Sequence, residues 1–144
     1  YIGERVFMFS AFEIALRLND NEMITLLYEL SDEIDLNYKN IFDYGHTPLM
    51  QMAQLGDMDK IHWLLEKGAN LHEKDTYNDQ VLAIAAYNGQ KEVVKFLLTL
   101  NVDVLNKNNF GDTAYDHAKT RGHNEVADMI KEKVEANKIK SGIK

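Results

Sequence analysis

Four sets of residues keep step at an interval of 33 positions through most of this 144-residue chain. Gly56, Gly89 and Gly122 recur at that interval, as do Gly45, Asn78 and Gly111, then Leu49, Leu82 and Tyr115, and then Leu64, Leu97 and Ile130. A period of this length marks a chain assembled from repeated supersecondary units. Each unit is too small to bury its own apolar face and is stable only when stacked on its neighbours.

Every column has a physical reason. Thr47 and Thr113 stand where a hydroxyl can satisfy an orphan amide at a helix start, and Pro48 follows at the first helical position, which suits its fixed φ. Gly56, Gly89 and Gly122 close a short first helix, where a left-handed residue is wanted. A second helix follows, carrying Ile61, Trp63, Leu64 and Leu65 in one unit and Val93, Val94, Phe96, Leu97 and Leu98 in the next. Gly68 ends the first of these. Asn101 stands at its counterpart, and Asn78 stands where Gly45 and Gly111 do, which predicts positive φ at both asparagines.

With these columns in place the sequence resembles the ankyrin repeat, whose unit runs turn, Gly-x-Thr-Pro-Leu, first helix, Gly, second helix, Gly-Ala-Asp-Val-Asn. Residues 43–75 match best, through Gly45-His46-Thr47-Pro48-Leu49 and Gly68-Ala69-Asn70-Leu71-His72, and the next unit carries Val102-Asp103-Val104-Leu105-Asn106. The resemblance covers roughly residues 10–134. It implies an all-α solenoid of about four helix-turn-helix units with projecting β-turn fingers. The whole chain is read as one domain, with units near 10–41, 42–74, 75–107 and 108–134 and a lysine-rich tail over 135–144. In the first unit, Ser10-Ala11-Phe12-Glu13 reads as a capping box opening a helix to Leu18, and a second helix is expected from about Glu22 to Leu30. Ile34-Asp35-Leu36-Asn37 echoes the loop motif after a longer connection.

The chain departs from the family pattern at the histidine of Thr-Pro-Leu-His, which is Met50, Ala83 and Asp116 here. The bonds that this histidine makes between turns therefore lack their usual donor. Gln80-Val81 and Thr113-Ala114 replace Thr-Pro in the later units. Lys119 falls in the column of Ala53 and Ala86, and Lys131 in that of Leu65 and Leu98, so the fourth unit reads as a cap with a polar outer face. The first unit, with Phe7, Phe9, Phe12, Ile14 and Leu16, shows no such polar face, and a preceding segment is an open expectation.

Charge restricts the partners. Residues 131–144 hold five lysines against Glu132 and Glu135, a net of +3, which leaves −10 on residues 1–130 of a chain whose total is −7. The lysine stretch reads as a solvated, fraying helix end. An acidic body repels phosphate backbones and anionic lipid, which disfavours nucleic acid and membrane and favours a protein with a basic or mixed surface. The chain is expected to be a monomer by itself. No apolar run is long enough to span a bilayer. The compartment stays open, with the cytoplasm expected first and periplasm or secretion as alternatives.

Catalysis finds no support. Serines occur only at 10, 31 and 141, there is no cysteine, and no glycine-rich phosphate loop, His-Glu-x-x-His or Gly-x-Ser-x-Gly motif is present. His46, His62, His72, His117 and His123 form no i, i+4 pair, and the acidic run Asp32, Glu33, Asp35 lacks calcium-loop spacing, so neither metal nor cofactor is expected. Trp63 shares a column with Phe96 and Met129 and reads as core.

In ankyrin-like proteins the row of fingers and the exposed side of the first helices line a concave groove where partners usually bind. Carried onto this chain, the resemblance assigns that surface to Asp43, Tyr44 and His46, Thr76, Tyr77 and Asp79, and Asn109, Phe110 and Asp112 in the fingers. Gln54, Leu55, Tyr87, Asn88, Thr120 and Arg121 form its floor. Tyr44, Tyr77 and Phe110 are spaced by 33 and would form a ladder flanked by Asp43, Asp79 and Asp112. The ladder can bind a partner, stiffen the turns, or do both. The expected role is a non-catalytic interaction module. The alternatives are an inhibitor or immunity-type protein covering a cognate enzyme's active site, and the binding part of a secreted bacterial effector, to which abundant asparagine, lysine and isoleucine point.

Overall fold

The computed structural model describes residues 2–31 and 34–142, within which eight helices follow one another: α1 (Ile2–Leu18), α2 (Asn21–Leu30), α3 (Pro48–Leu55), α4 (Met58–Glu66), α5 (Val81–Tyr87), α6 (Lys91–Leu97), α7 (Ala114–Thr120) and α8 (Asn124–Lys140). They pair as hairpins, α1 with α2, α3 with α4, α5 with α6 and α7 with α8. The hairpins stack, α1 on α3, α3 on α5, α5 on α7, and α6 on α8. Helices α3 to α7 have seven to nine residues, below the ~12–15 at which an isolated helix becomes marginal in water. Stacking is therefore what holds them helical.

The caps set the element ends. The Thr47 hydroxyl accepts the Met50 N–H at 3.3 Å, Pro48 takes the first position of α3, and Gly56 closes the helix at φ 76°. At α7 the box is reciprocal: Thr113 caps Asp116, and the Asp116 carboxylate accepts the Thr113 N–H at 2.8 Å. That backbone donor holds the Asp116 carboxyl below its usual range. Gly89 is required twice over. Its φ is +67°, and a Cβ there would lie 2.6 Å from the His123 ring.

Between the helix rows runs one core in which Leu64, Leu97 and Ile130 are fully buried, beside Ile61, Val94 and Ala127 one turn earlier. Burial of one such side chain stabilises by roughly 1.5–3 kcal/mol.

Several expectations need correction. α1 starts by Ile2 instead of at Ser10, so Ser10 lies mid-helix and the predicted capping box does not open it. Among the described residues the non-glycine positive-φ positions are Asn19, Tyr44 and Asn78, so Asn78 behaves as expected and Asn101 does not. After α6 the chain tightens through Thr99 to Phe96 and Leu100 to Leu97 bonds, which removes the need for a left-handed residue at 101. Trp63 is half-buried at the core's edge, against Phe12 and Tyr28, because its column faces the margin between hairpins. The lysine-rich end is a solvated helix end as far as Lys140, with Lys138 paired to Glu135 at 3.2 Å. Lys119 and Lys131 are exposed, as a polar outer face demands. Asp32 and Glu33 of the acidic run, and Lys144, lie outside the described residues.

Candidate partner-binding surface

Three turns project in front of the helix stack, the second and third each closed by one side chain. Asp75 Oδ1 accepts the N–H groups of Tyr77 and Asp79 at 2.8 and 2.9 Å, and Asn108 Oδ1 accepts those of Phe110 and Asp112 at 2.9 and 3.0 Å. Backbone bonds from Asp75 to Asp79 and from Asn108 to Asp112 complete these fingers. The first finger, closed by the Asn40–His46 bridge, is two residues longer and carries Ile41 and Phe42 in the open. Such short polar side chains are used at turns because they replace the missing backbone partners.

Neighbouring fingers are tied edge to edge. The Thr76 N–H donates to the Tyr44 carbonyl at 2.9 Å and the Asn109 N–H to the Tyr77 carbonyl at 2.8 Å. This register brings the rings of Tyr44, Tyr77 and Phe110 into a ladder with centroids 5.9 Å apart at both steps and interplanar angles of 37° and 36°. The rings nevertheless stay 60, 39 and 72% exposed. The ladder thus stiffens the fingers and still offers its outer faces, an arrangement well within the range of favourable aromatic contacts.

Behind the ladder lies a polar layer that replaces the family's absent histidine. His46 Nε2 stands 3.4 Å from Asp75 Oδ2 on the next finger. Asp79 spans the following step, with His117 Nε2 of α7 at 3.0 Å from Oδ1 and Asn108 Nδ2 donating to Oδ2 at 3.2 Å. The hydrogen bond to Asp79 raises the His117 pKa above its ordinary value, aided by the charges of Asp79, Asp112 and Asp116 and opposed by burial. On the N-terminal side the buried Glu13 of α1 accepts from Asn40 Nδ2 at 3.0 and 3.1 Å and from Gln51 Nε2 of α3. Lys60, also buried, donates to Asn19 and Asn21 at 2.5 and 2.7 Å.

Between ladder and first helices runs a groove of about 540 Å³. Of the residues assigned to the surface from sequence, Tyr44, His46, Gln54, Tyr77, Asp79, Tyr87, Asn88 and Phe110 line it. Asp43, Leu55, Thr76, Asn109, Asp112, Thr120 and Arg121 do not. Arg121 stands at its edge with the guanidinium 4.7 Å from the Tyr87 ring centre. Two of the groove residues assigned from sequence are not free contacts: His46 and Asp79 are each only 7% exposed, spent on the polar layer with the equally buried Asp75 and Asn108. The expected acidic flank is reduced accordingly, because Asp79 is covered and Asp43 pairs with Arg17 at 3.3 Å, leaving Asp112 exposed.

His117, Asn108, Asp75 and Ile84 line the groove and escaped the sequence reading. His117 falls in a column with Ile84 and Gln51, so the repeat gave no hint of a polar role there. Among the described residues no three histidine or acid side chains are grouped to hold a metal, and no helix is long and apolar enough to cross a membrane.

A sequence profile described as ankyrin repeats, in three copies, matches residues 49–141. The chain belongs to the ankyrin-repeat family. Similar proteins include ankyrin repeat and SAM domain-containing protein 6 of Rattus norvegicus, 38% identical over 93 residues, or 63% of this chain and 10% of that one. Human ankyrin repeat, SAM and basic leucine zipper domain-containing protein 1 is 30% identical over 96 residues, 64% of this chain and 19% of that protein. The Candida albicans glycerophosphocholine phosphodiesterase GDE1 is 29% identical over 118 residues, 81% of this chain and 10% of the enzyme. The ankyrin-repeat chain thus spans between a tenth and a fifth of the length of these relatives. Ankyrin repeats are generally protein-interaction modules, and the matched repeats include the second and third fingers and α3 to α8.

Proposed function

We propose that this ankyrin-repeat chain is a non-catalytic module that holds a partner protein in the groove between the finger ladder and the first helices. The observation that carries the reading is the ladder itself, three aromatic rings locked at 5.9 Å steps by their own backbone register yet left open on one side. A preorganised aromatic row loses little entropy on binding and supplies the side chains that dominate interface energies. The two His–Asp contacts fit a structural role better than a chemical one, since both lie within the layer that pins the fingers. With its acids largely engaged, the groove suits a partner that presents apolar or aromatic groups, with a cationic rim able to meet Asp112. Replacing Tyr44, Tyr77 and Phe110 together by alanine tests this. A partner captured by the wild-type chain is titrated with both proteins, and circular dichroism confirms that both are folded. A loss of about 100-fold or more is expected from three truncated anchors, and undiminished affinity rejects the groove as the site.

A further inference from the structure

Beside the groove, and sharing Gln54 with it, lies a second hollow of about 310 Å³ lined by Arg17, Asp43, Gln51, Gln54 and Leu55. The end of α1, the first finger and α3 meet there. The corner is rich in acceptors that lack donors. Gln51 is 2% exposed, its Nε2 is spent on Glu13, and its Oε1 is buried with no hydrogen-bond partner. Among the described residues one other buried side-chain atom has no partner, and it stands in the same corner: His46 Nδ1 lies 3.9 Å from Asp43 Oδ2, too far for a hydrogen bond. Buried polar atoms are nearly always paired, so two orphans against one hollow need a reason.

The charge of the corner points the same way. Glu13, bonded to Gln51, is buried, and the groups that donate to it, the side-chain amides of Asn40 and Gln51, are neutral. Asp43 has a cationic partner in Arg17, but the contact is loose. Its 3.3 Å exceeds the roughly 2.7–2.9 Å of a well-formed ammonium or guanidinium bond to a carboxylate, and the Arg17 side chain is 53% exposed. An exposed pair of this kind contributes little and opens readily. Arg17 thus shows that the corner accepts a guanidinium without holding this one firmly.

We propose that this hollow takes an arginine side chain of the protein held in the groove, an inference that rests on the groove being the face that meets the partner. The incoming guanidinium takes the place of Arg17 on Asp43 and reaches Gln51 Oε1 behind it. A planar fork of five donors can serve a carboxylate and an amide oxygen together, which a compact ammonium does less well. Its charge offsets that of Glu13, and its aliphatic stem lies along Leu55, which is 58% exposed at the rim. The partner's apolar groups then sit on the ladder while one arginine fixes its register at the end of the groove nearest α1.

An NMR titration of the isotope-labelled chain with N-acetylarginine methylamide, at low ionic strength, tests the proposal with a single residue as the probe. The side-chain amide of Gln51 and the backbone amides of Asp43 and Leu55 should shift along one saturable curve. The citrulline analogue, uncharged and nearly the same shape, should bind about 10-fold more weakly or worse. Asp43→Asn should weaken the arginine probe by a similar factor. Arg17→Ala should tighten it about 3-fold or more, because the competing guanidinium is gone and the exposed pair it breaks contributes little. The proposal is overturned by the absence of saturable shifts at Gln51 up to about 50 mM probe, where even a weak contact registers. Citrulline binding as well as arginine, or Arg17→Ala failing to tighten the probe, overturns it equally. The titration contains no partner and the ladder lines no part of the hollow, so its failure strikes the hollow alone, whereas the triple-alanine test strikes the groove.

Discussion

Replacing Asp79 by alanine should be among the most damaging changes available to a side chain outside the apolar core. Its carboxylate is almost completely buried and accepts from His117 at 3.0 Å and from Asn108 at 3.2 Å, joining the second finger to the third and to α7. Hydrogen bonds to a charged group contribute about 1.5–3 kcal/mol each, and the truncation leaves both donors without this acceptor, so a combined loss of about 3–4 kcal/mol is expected after allowing for non-additivity. At roughly 3–4 °C per kcal/mol for a chain of this size, the midpoint of thermal unfolding should fall by about 10–15 °C. The effect carries a pH signature. His117 is raised chiefly by its bond to Asp79, so its contribution is fully present below the ordinary histidine pKa of about 6.5 and is lost as pH climbs through the raised folded value. Asp79→Ala removes that cause, and the gap between wild type and variant should be wider at pH 6 than at pH 8.5. Melting curves at the two pH values read both numbers. A shift under 2 °C, or a gap that widens with rising pH, refutes the role given to this pair.

Four further substitutions have worked outcomes. Leu64→Ala, at a fully buried position between hairpins, should lose about 2–5 kcal/mol in urea unfolding. Gly68→Ala, at φ +95° with no atom within 4 Å of the new Cβ, should lose only the left-handed penalty of about 1–2 kcal/mol. Gly45→Ala should lose clearly more, because its Cβ would meet the Thr76 hydroxyl at 2.7 Å and the Thr76 nitrogen at 3.1 Å, and equal losses at the two glycines would show that the finger contact carries no energy. Glu13→Ala should destabilise by about 2–4 kcal/mol, since Gln51 and Asn40 lose their common acceptor, and a neutral result would remove Glu13 from the structural account.

The sequence disclosed whatever the period repeats. Thr47, Gly56, Gly89 and the Leu64–Leu97–Ile130 column have one physical role per position, so three copies confirm each other. The aromatic ladder was legible for the same reason, because residues 33 apart on successive fingers must become neighbours. The polar layer behind it was not. His46, Asp79 and His117 occupy positions that differ in type from unit to unit, and their pairing depends on which side chain of the next unit lies within 3–4 Å. Column reading treats such residues as free surface, which is why Asp79 was expected on the exposed flank. The start of α1 was misplaced by a related error: Ser10 does align with the threonine caps, but the sequence before it is helix where later units have a finger. Glu13 and Lys60 were hidden because a buried charge in a repeat is visible only through its partners.

The account turns on the groove in front of the first helices being the face that meets a partner. A photo-crosslinking phenylalanine analogue placed at position 110, in the most exposed ring of the ladder, should form a covalent adduct with the captured partner. The same group at position 95, exposed on α6 away from the fingers, should form none. Crosslinking from position 95 with none from position 110 would contradict the assignment of the ladder and its groove as the binding surface.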